Sequence, residues 1–151
     1  MHHSLVQDWM TPNPITMSPE TSLHEASNLM KQHNIRRLPV VAKGRLVGIV
    51  TWGDVREASP SDATSLSIWE LHYLLVKLRI DDIMSKEVLT VRPEQTIQEA
   101  ARVMLQHKIS GLPVVEDGQV VGIITESDIF RLVVQEWERE VEPALVEGPM
   151  R

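Results

Sequence analysis

The stretch Gly44-Arg-Leu-Val-Gly48-Ile-Val-Thr51-Trp-Gly-Asp54 decides the reading of this chain, because it occurs twice. It returns 74 positions later as Gly118-Gln-Val-Val-Gly122-Ile-Ile-Thr125-Glu-Ser-Asp128. Each copy is a glycine turn, a short β-branched apolar run, and then Thr-x-x-Asp opening a helix. A period this long, seen only twice, marks a duplicated unit and not a solenoid array.

Outward from these copies the repeat runs without a gap, Asp8 to Val55 against Asp82 to Ile129, with roughly 21 of 48 pairs identical. Met10/Met84, Pro19/Pro93, Met30/Met104, His33/His107 and Leu38-Pro39-Val40-Val41/Leu112-Pro113-Val114-Val115 are among them. Ile15-Thr16-Met17 and Leu89-Thr90-Val91 read as short extended segments, each ended by a proline. Ser22-x-x-Glu25 and Thr96-x-x-Glu99 have capping-box spacing. The helices they open carry Leu23, Ala26 and Met30, or Ile97, Ala100 and Met104, on one apolar face. They are expected to stop near His33-Asn34 and His107-Lys108. Hairpins then close at Lys43-Gly44 and Asp117-Gly118. A second helix is expected to begin at Asp54 and at Asp128. The order is β-α-β-β-α, twice, an α+β class.

The boundaries follow. Repeat one is about 8–58, a helical connector 59–81, and repeat two about 82–142, all within one module of 151 residues. Ser59-Pro60-Ser61-Asp62 cuts the first repeat's second helix short. Ser67-x-x-Glu70 opens a connector helix whose Ile68, Leu71, Leu74, Leu75 and Leu78 are expected to face inward. The last helix is expected to run from Ser127 to about Glu142, with a frayed tail beyond Pro143. Its Phe130, Val133, Val134, Trp137 and Val141 form a stripe longer than one repeat can cover. That stripe predicts a homodimer. Each half is too small to bury enough surface alone, so the two should share a core.

A net charge of −6 argues against bulk binding to nucleic acid or to an anionic membrane. No apolar run reaches 18 residues and no signal-peptide pattern is present, which fits a cytoplasmic protein. The absence of cysteine excludes thiol chemistry, and the six histidines show no ligand spacing with carboxylates. No Ser-His-Asp set, P-loop or carboxylate pair is visible, so the chain is not read as an enzyme.

Thr-x-x-Asp at a strand-to-helix junction suits a sugar phosphate. The helix N-terminus offers free N–H groups to an anion, and a carboxylate accepts bonds from a vicinal diol. The alternative is structural, with Asp54 and Asp128 as N-caps. Arg36 and Arg37, adjacent cations absent from repeat two, form either a phosphate clamp or a solvated basic turn. Trp52 either stacks on a base or covers the cleft.

The double pattern resembles a pair of CBS domains, the units named after cystathionine β-synthase that associate as a Bateman module. Gly-h-h-Thr/Ser-x-x-Asp/Asn, with h apolar, is that family's ribose-phosphate signature. Gly48 to Asp54 and Gly122 to Asp128 both match it. The connector with its leucine-rich helix further resembles acetoin-utilisation B-type proteins, whose additional ACT domain would not fit before this chain ends. The resemblance implies two repeats packed with pseudo-two-fold symmetry through their sheets. It also implies clefts for an adenine nucleotide (AMP, ADP or ATP) or S-adenosylmethionine as regulatory ligand, no required cofactor, and a client protein of unknown identity. In those clefts Asp54 and Asp128 would take the ribose hydroxyls, with Thr51 and Thr125 near ribose or phosphate. Ile15, Thr16, Met17, Leu89, Thr90 and Val91 would line the base pockets. Arg36 and Arg37 would then serve a phosphate held at Thr125 and Asp128, making that cleft the stronger phosphate binder. The alternative function is a protein-interaction module with empty clefts.

Overall fold

The computed structural model describes residues 4–59 and 65–147, with side chains as far as 140. In chain order the elements are α1 (Val6–Trp9), β1 (Thr11–Pro12), α2 (Leu23–His33), β2 (Arg37–Ala42), β3 (Arg45–Thr51) and α3 (Trp52–Ala58). They continue with α4 (Ile68–Lys77), α5 (Ile80–Ile83), α6 (Ile97–His107), β4 (Gly111–Glu116), β5 (Gln119–Thr125) and α7 (Glu126–Glu147).

Local chemistry explains the two matched helices. The Ser22 hydroxyl accepts from the Glu25 N–H at 3.1 Å, and Thr96 from Glu99 at 3.1 Å, so each helix starts with one orphan donor satisfied. Leu23, Ala26 and Met30, and their counterparts Ile97, Ala100 and Met104, are all buried. Both helices end on a residue in the left-handed region, Asn34 at φ 52 and Lys108 at φ 54. The hairpins turn through Lys43-Gly44 (φ 53 and 77) and Asp117-Gly118 (φ 52 and 80), the signs a type I′ turn demands. In β2–β3 the register runs from Arg37 opposite Thr51 to Ala42 opposite Arg45, with a bulge between Val40 and Val41.

The contacts sort the chain into two compact units, and each takes in a segment from outside its own repeat. One unit holds 1–14, 89–117 and 121–151; the other holds 15–88 and 118–120. In the first, the Val6 N–H donates to Gln95 O at 2.8 Å and Thr11 pairs with Ile123. In the second, the Ile80 N–H donates to Thr21 O at 2.8 Å and Ser85 pairs with Ile49. These are the same contacts under the 74-residue shift. Val6 is fully buried with Val91, Leu112, Val114 and Ile124, while Ile80 lies in the core of Leu23, Leu38, Val40 and Val50. The segment preceding each repeat's first strand thus completes the core built from the other repeat.

The extended segments before α2 and α6 are shorter than the sequence suggests. Only Met17 pairs with Val40, and only Val91 with Val114, both in parallel. α1, α5 and β1 were not foreseen, because segments of two to four residues carry no periodicity.

Three expectations need correction. α3 and α7 begin at Trp52 and Glu126, two residues before Asp54 and Asp128, because Thr51 is already the N-cap of α3. In α4, Ile68 is 76% exposed and Leu74 is also exposed. α4 packs against α2, and Leu71, Leu75 and Leu78 fall within about 60° of arc at 100° per residue, so Ile68 and Leu74 flank the covered strip. Finally, α7 passes Pro143 and ends at Glu147. Proline removes one backbone donor and does not by itself terminate a helix that has only one turn left. Pro60, Ser61 and Asp62 and the side chain of Val141 lie outside the described residues.

Candidate nucleotide site

Each Thr-x-x-Asp sits where a hairpin strand becomes a helix. In repeat one Thr51 and Asp54 form a complete capping box. The Asp54 N–H donates to Thr51 Oγ1 at 3.2 Å, and the Thr51 N–H donates to Asp54 Oδ2 at 2.9 Å. Asp54 is therefore the third helical residue and not the cap itself. Its side chain is half-buried, and among the described residues Oδ1 has no partner.

Repeat two uses the same frame differently. Asp128 Oδ2 accepts from the Thr125 N–H at 2.8 Å and from the Thr125 hydroxyl at 3.1 Å. Its Oδ1 is held by Arg131, one turn further along α7. Asp128 is 2% exposed, the one buried charged residue among those described. At the position of Arg131, repeat one has Glu57. An acid cannot make that bond, which leaves Asp54 with an open oxygen. The i, i+3 spacing of Asp128 and Arg131 was readable in the sequence.

The glycine that opens each signature has a steric reason. A Cβ on Gly48 would lie 3.0 Å from the Ser85 carbonyl oxygen and against the Met84 thioether. On Gly122 it would lie 3.0 Å from the Thr11 carbonyl oxygen and against the thioether of Met10. The identical Met10/Met84 pair thus packs onto the identical glycine pair. Glycine is required here for close approach and not for its φ.

The remaining sequence-predicted residues divide. Ile15 and Met17 are half-buried against the repeat-one core, and Val91 is buried in the other core. Thr16, Leu89 and Thr90 are exposed. Arg36 and Arg37 have different backbone settings. Arg37 is the first residue of β2, opposite Thr51, whereas Arg36 precedes the strand, is exposed, and accepts the Trp52 N–H on its carbonyl at 2.7 Å.

Arg36 instead joins a groove of about 380 Å³ where α2 ends beside α3. Met30, Ile35 and Trp52 form its apolar wall; Lys31, Arg36 and Arg56 supply its charge. Lys31 Nζ lies 5.9 Å from the centre of the Trp52 ring, within cation–π range. Lys31 and Arg56 escaped the sequence reading because they are 25 positions apart on different helices. Trp52 and Arg56 share one face of α3, while Asp54 lies about 200° around the helix from Trp52 at 100° per residue. The groove and the Asp54 carboxylate are therefore on different sides of α3.

Among the described residues no cluster of His, Asp and Glu could hold a metal, and no helix is long and apolar enough to cross a membrane.

Comparison with known proteins agrees with this layout. The CBS domain family model matches residues 6–61 and 80–135. The chain is 32% identical to the CBS domain-containing protein YhcV of Bacillus subtilis, covering 83% of each. It is 45% identical over 117 residues to an inosine-5'-monophosphate dehydrogenase of Korarchaeum cryptofilum, where it spans only 21% of the relative. Among solved structures, a putative acetoin utilization protein (AcuB) from Vibrio cholerae superposes with a TM-score of 0.75 at 32% identity, over 96% of this chain and 98% of that one. The CBS domain pair of protein MJ0100, in complex with 5'-methylthioadenosine and S-adenosyl-L-methionine, gives 0.73 at 35% identity, covering 88% and 98%. CBSX2 in complex with AMP gives 0.74 at 31%, covering 89% and 98%. Two copies of one signature, in two matched β-α-β-β-α frames, place this chain in the CBS domain family.

Proposed function

We propose that the chain is a non-catalytic regulatory module that binds an adenosyl ligand, AMP, ADP, ATP or S-adenosylmethionine, through Thr-x-x-Asp. One observation carries the reading. Asp54 is fixed by its own capping box on Oδ2 while Oδ1 stays open, so a rigid acceptor is available to a ribose diol without breaking any internal bond. That relatives of 31–35% identity are described with AMP, 5'-methylthioadenosine and S-adenosylmethionine supports the ligand class. Within this reading Thr51 and Thr125 each lie near the ribose or phosphate of a separate cleft, and Ile15, Thr16 and Met17, or Leu89, Thr90 and Val91, line the base pocket. Trp52 points to the groove on the other side of α3, so it is not counted among the base contacts.

The module acts as a cytoplasmic homodimer that transmits ligand state to a client protein. The apolar residues left exposed on α7 support the dimer: Phe130 is 64% and Trp137 61% exposed, with Val134 between them. A second reading applies to repeat two alone. There Asp128 is buried and already bonded on both oxygens, which favours a structural motif with no nucleotide.

Calorimetry with AMP, ADP, ATP and S-adenosylmethionine tests the proposal. We expect one ligand to bind, and Asp54→Ala to weaken it by roughly 10- to 100-fold, the equivalent of about 1.5–3 kcal/mol for a bond to a charged group. No heat with any of the four, or unchanged affinity in Asp54→Ala, overturns it. Steady consumption of ATP would refute the non-catalytic part.

A further inference from the structure

The connector helix α4 belongs to neither repeat, since the CBS match ends at residue 61 and resumes at 80. Its surface is therefore not part of the duplicated frame. α4 carries apolar side chains on both of its sides. Leu71, Leu75 and Leu78 make up the strip covered by α2. Trp69, Tyr73 and Val76 fall within another arc of about 60° on the opposite side, at 100° per residue. Trp69 is 81% exposed, Tyr73 60% and Val76 48%. A helix that is apolar all round is normally covered all round, so this outer strip calls for a partner. One edge of the strip is charged. Glu70 and Lys77 are exposed and lie within about 20° of each other around the helix. Among the described residues neither has an ion-pair partner. Lys77 Nζ sits 5.3 Å from the centre of the Tyr73 ring. The other edge is formed by Ile68 and His72.

We infer that the outer strip of α4 pairs with the same strip of a second copy, antiparallel, about a two-fold axis beside Tyr73. Self-complementary charge singles out a second copy as the occupant. Glu70 stands about 4.5 Å along the helix axis on one side of Tyr73, and Lys77 about 6 Å on the other, at 1.5 Å per residue. A two-fold axis across the helix exchanges those two directions and brings the charged edges together. Glu70 of each copy then comes level with Lys77 of the other, to within about 1.5 Å of rise, and the ion pair forms twice. Trp69 of one copy falls beside Val76 of the other, and the two Tyr73 rings meet at the axis. Parallel pairing would instead set the charged edge against Ile68 and His72, leaving Lys77 without a carboxylate. Charge therefore selects the orientation as well as the partner. One short helix pair buries less than a dimer interface of standard size, so the contact belongs to the weak, transient class. It uses α4 alone and is separate from the α7 stripe of the proposed function. A chain that uses both faces assembles beyond two copies.

The chain lacks cysteine, so single introduced thiols report the contact directly. In the full chain, Tyr73→Cys should form a covalent dimer under mild oxidation. Trp69→Cys, Glu70→Cys and Lys77→Cys should each stay uncross-linked alone, while an equimolar mixture of the last two cross-links. Cross-linking of Trp69→Cys alone would show parallel pairing and overturn the inference. So would the absence of a cross-link in Tyr73→Cys or in the mixture, which would leave α4 to some other protein. Sedimentation gives an independent reading. Trp69→Glu alters an exposed position, leaves the core untouched, and should weaken self-association at least tenfold. Lys77→Glu should weaken it several-fold, and Lys77→Arg should not. Unchanged self-association in both Trp69→Glu and Lys77→Glu would also overturn the inference. Trp137→Glu separates this contact from the α7 stripe. A chain carrying Tyr73→Cys and Trp137→Glu together should cross-link as Tyr73→Cys does, and loss of that cross-link would overturn the α4 contact. A Trp137→Glu chain that sediments like the unsubstituted one would count against the α7 dimer alone.

Discussion

The two copies of Thr-x-x-Asp occupy the same place in the same backbone frame, yet among the described residues only one of the two has a carboxylate oxygen without a partner. Asp54 is held by its capping box and half-exposed; Asp128 is held by that box's counterpart, by the Thr125 hydroxyl and by Arg131, and is buried. One change three residues downstream, glutamate in one copy and arginine in the other, separates them. A duplicated signature therefore does not leave two equivalent carboxylates. The parts that build the frame are kept in both copies, and the surroundings of the carboxylate have diverged.

The frame should fail equally in both repeats. Gly48→Ala and Gly122→Ala each push a methyl group against a backbone carbonyl at 3.0 Å, which cannot swing away as a side chain does. We expect each to cost about 3 kcal/mol, the upper part of the usual range for overpacking. Urea denaturation should show equal falls in midpoint with unchanged slope. A large loss for one glycine and none for the other would mean that Met10-Thr11 and Met84-Ser85 are not equivalent braces.

The aspartates should fail unequally. Removing the Asp128 carboxylate strands the Thr125 N–H and hydroxyl in a buried setting and frees Arg131. A loss of about 2 kcal/mol of stability is expected for Asp128→Ala, within the range for unsatisfied buried groups. Asp54→Ala removes one half-exposed capping interaction and should cost about 1 kcal/mol. Ligand affinity should rank the other way, with Asp54→Ala the more damaging. The family resemblance implies the contrary order, because under it Arg36 and Arg37 would serve a phosphate at Asp128. Calorimetry on the two variants, paired with their denaturation curves, decides between carboxylate availability and cation supply. Greater loss of affinity in Asp128→Ala would restore the charge-based order.

What was legible in the sequence follows the same division. Capping boxes, apolar faces and glycine turns are local, so α2, α6 and both hairpins could be placed to within a residue or so from spacing alone. The exchange of leading segments was not legible. Val6 and Ile80 lie in cores built from residues dozens of positions away, and a four-residue helix has no period to betray it. The site was half legible: Thr51, Asp54, Thr125 and Asp128 announced themselves by repetition. The groove did not, because Lys31 and Arg56 become neighbours only when α2 lies beside α3. Arg36 and Arg37 are adjacent in sequence, but only Arg37 is paired in the sheet, opposite Thr51. Consecutive residues at a strand start point to opposite sides, so two neighbouring cations need not share a ligand.

The smallest expected difference lies at the ends of the matched helices. Asn34 and Lys108 hold nearly the same left-handed geometry, φ 52, ψ 48 against φ 54, ψ 46. Asparagine tolerates this region because its short side chain can bond locally, whereas a lysine Cβ crowds the following carbonyl at a cost of about 1–2 kcal/mol. Lys108→Gly should relieve that crowding. Glycine also gains freedom in the unfolded chain, which takes back roughly 0.5–1 kcal/mol. The net gain is then about 0.5 kcal/mol, or roughly 1–2 °C in melting temperature for a chain of this size. Asn34→Gly has little crowding to relieve and keeps the entropic penalty, so it should leave the melting temperature unchanged or slightly lower. Thermal melts of the two variants beside the unsubstituted chain make the comparison. Equal gains from both substitutions would show that the asparagine is as strained as the lysine, and that the two helix ends differ in sequence without differing in energy.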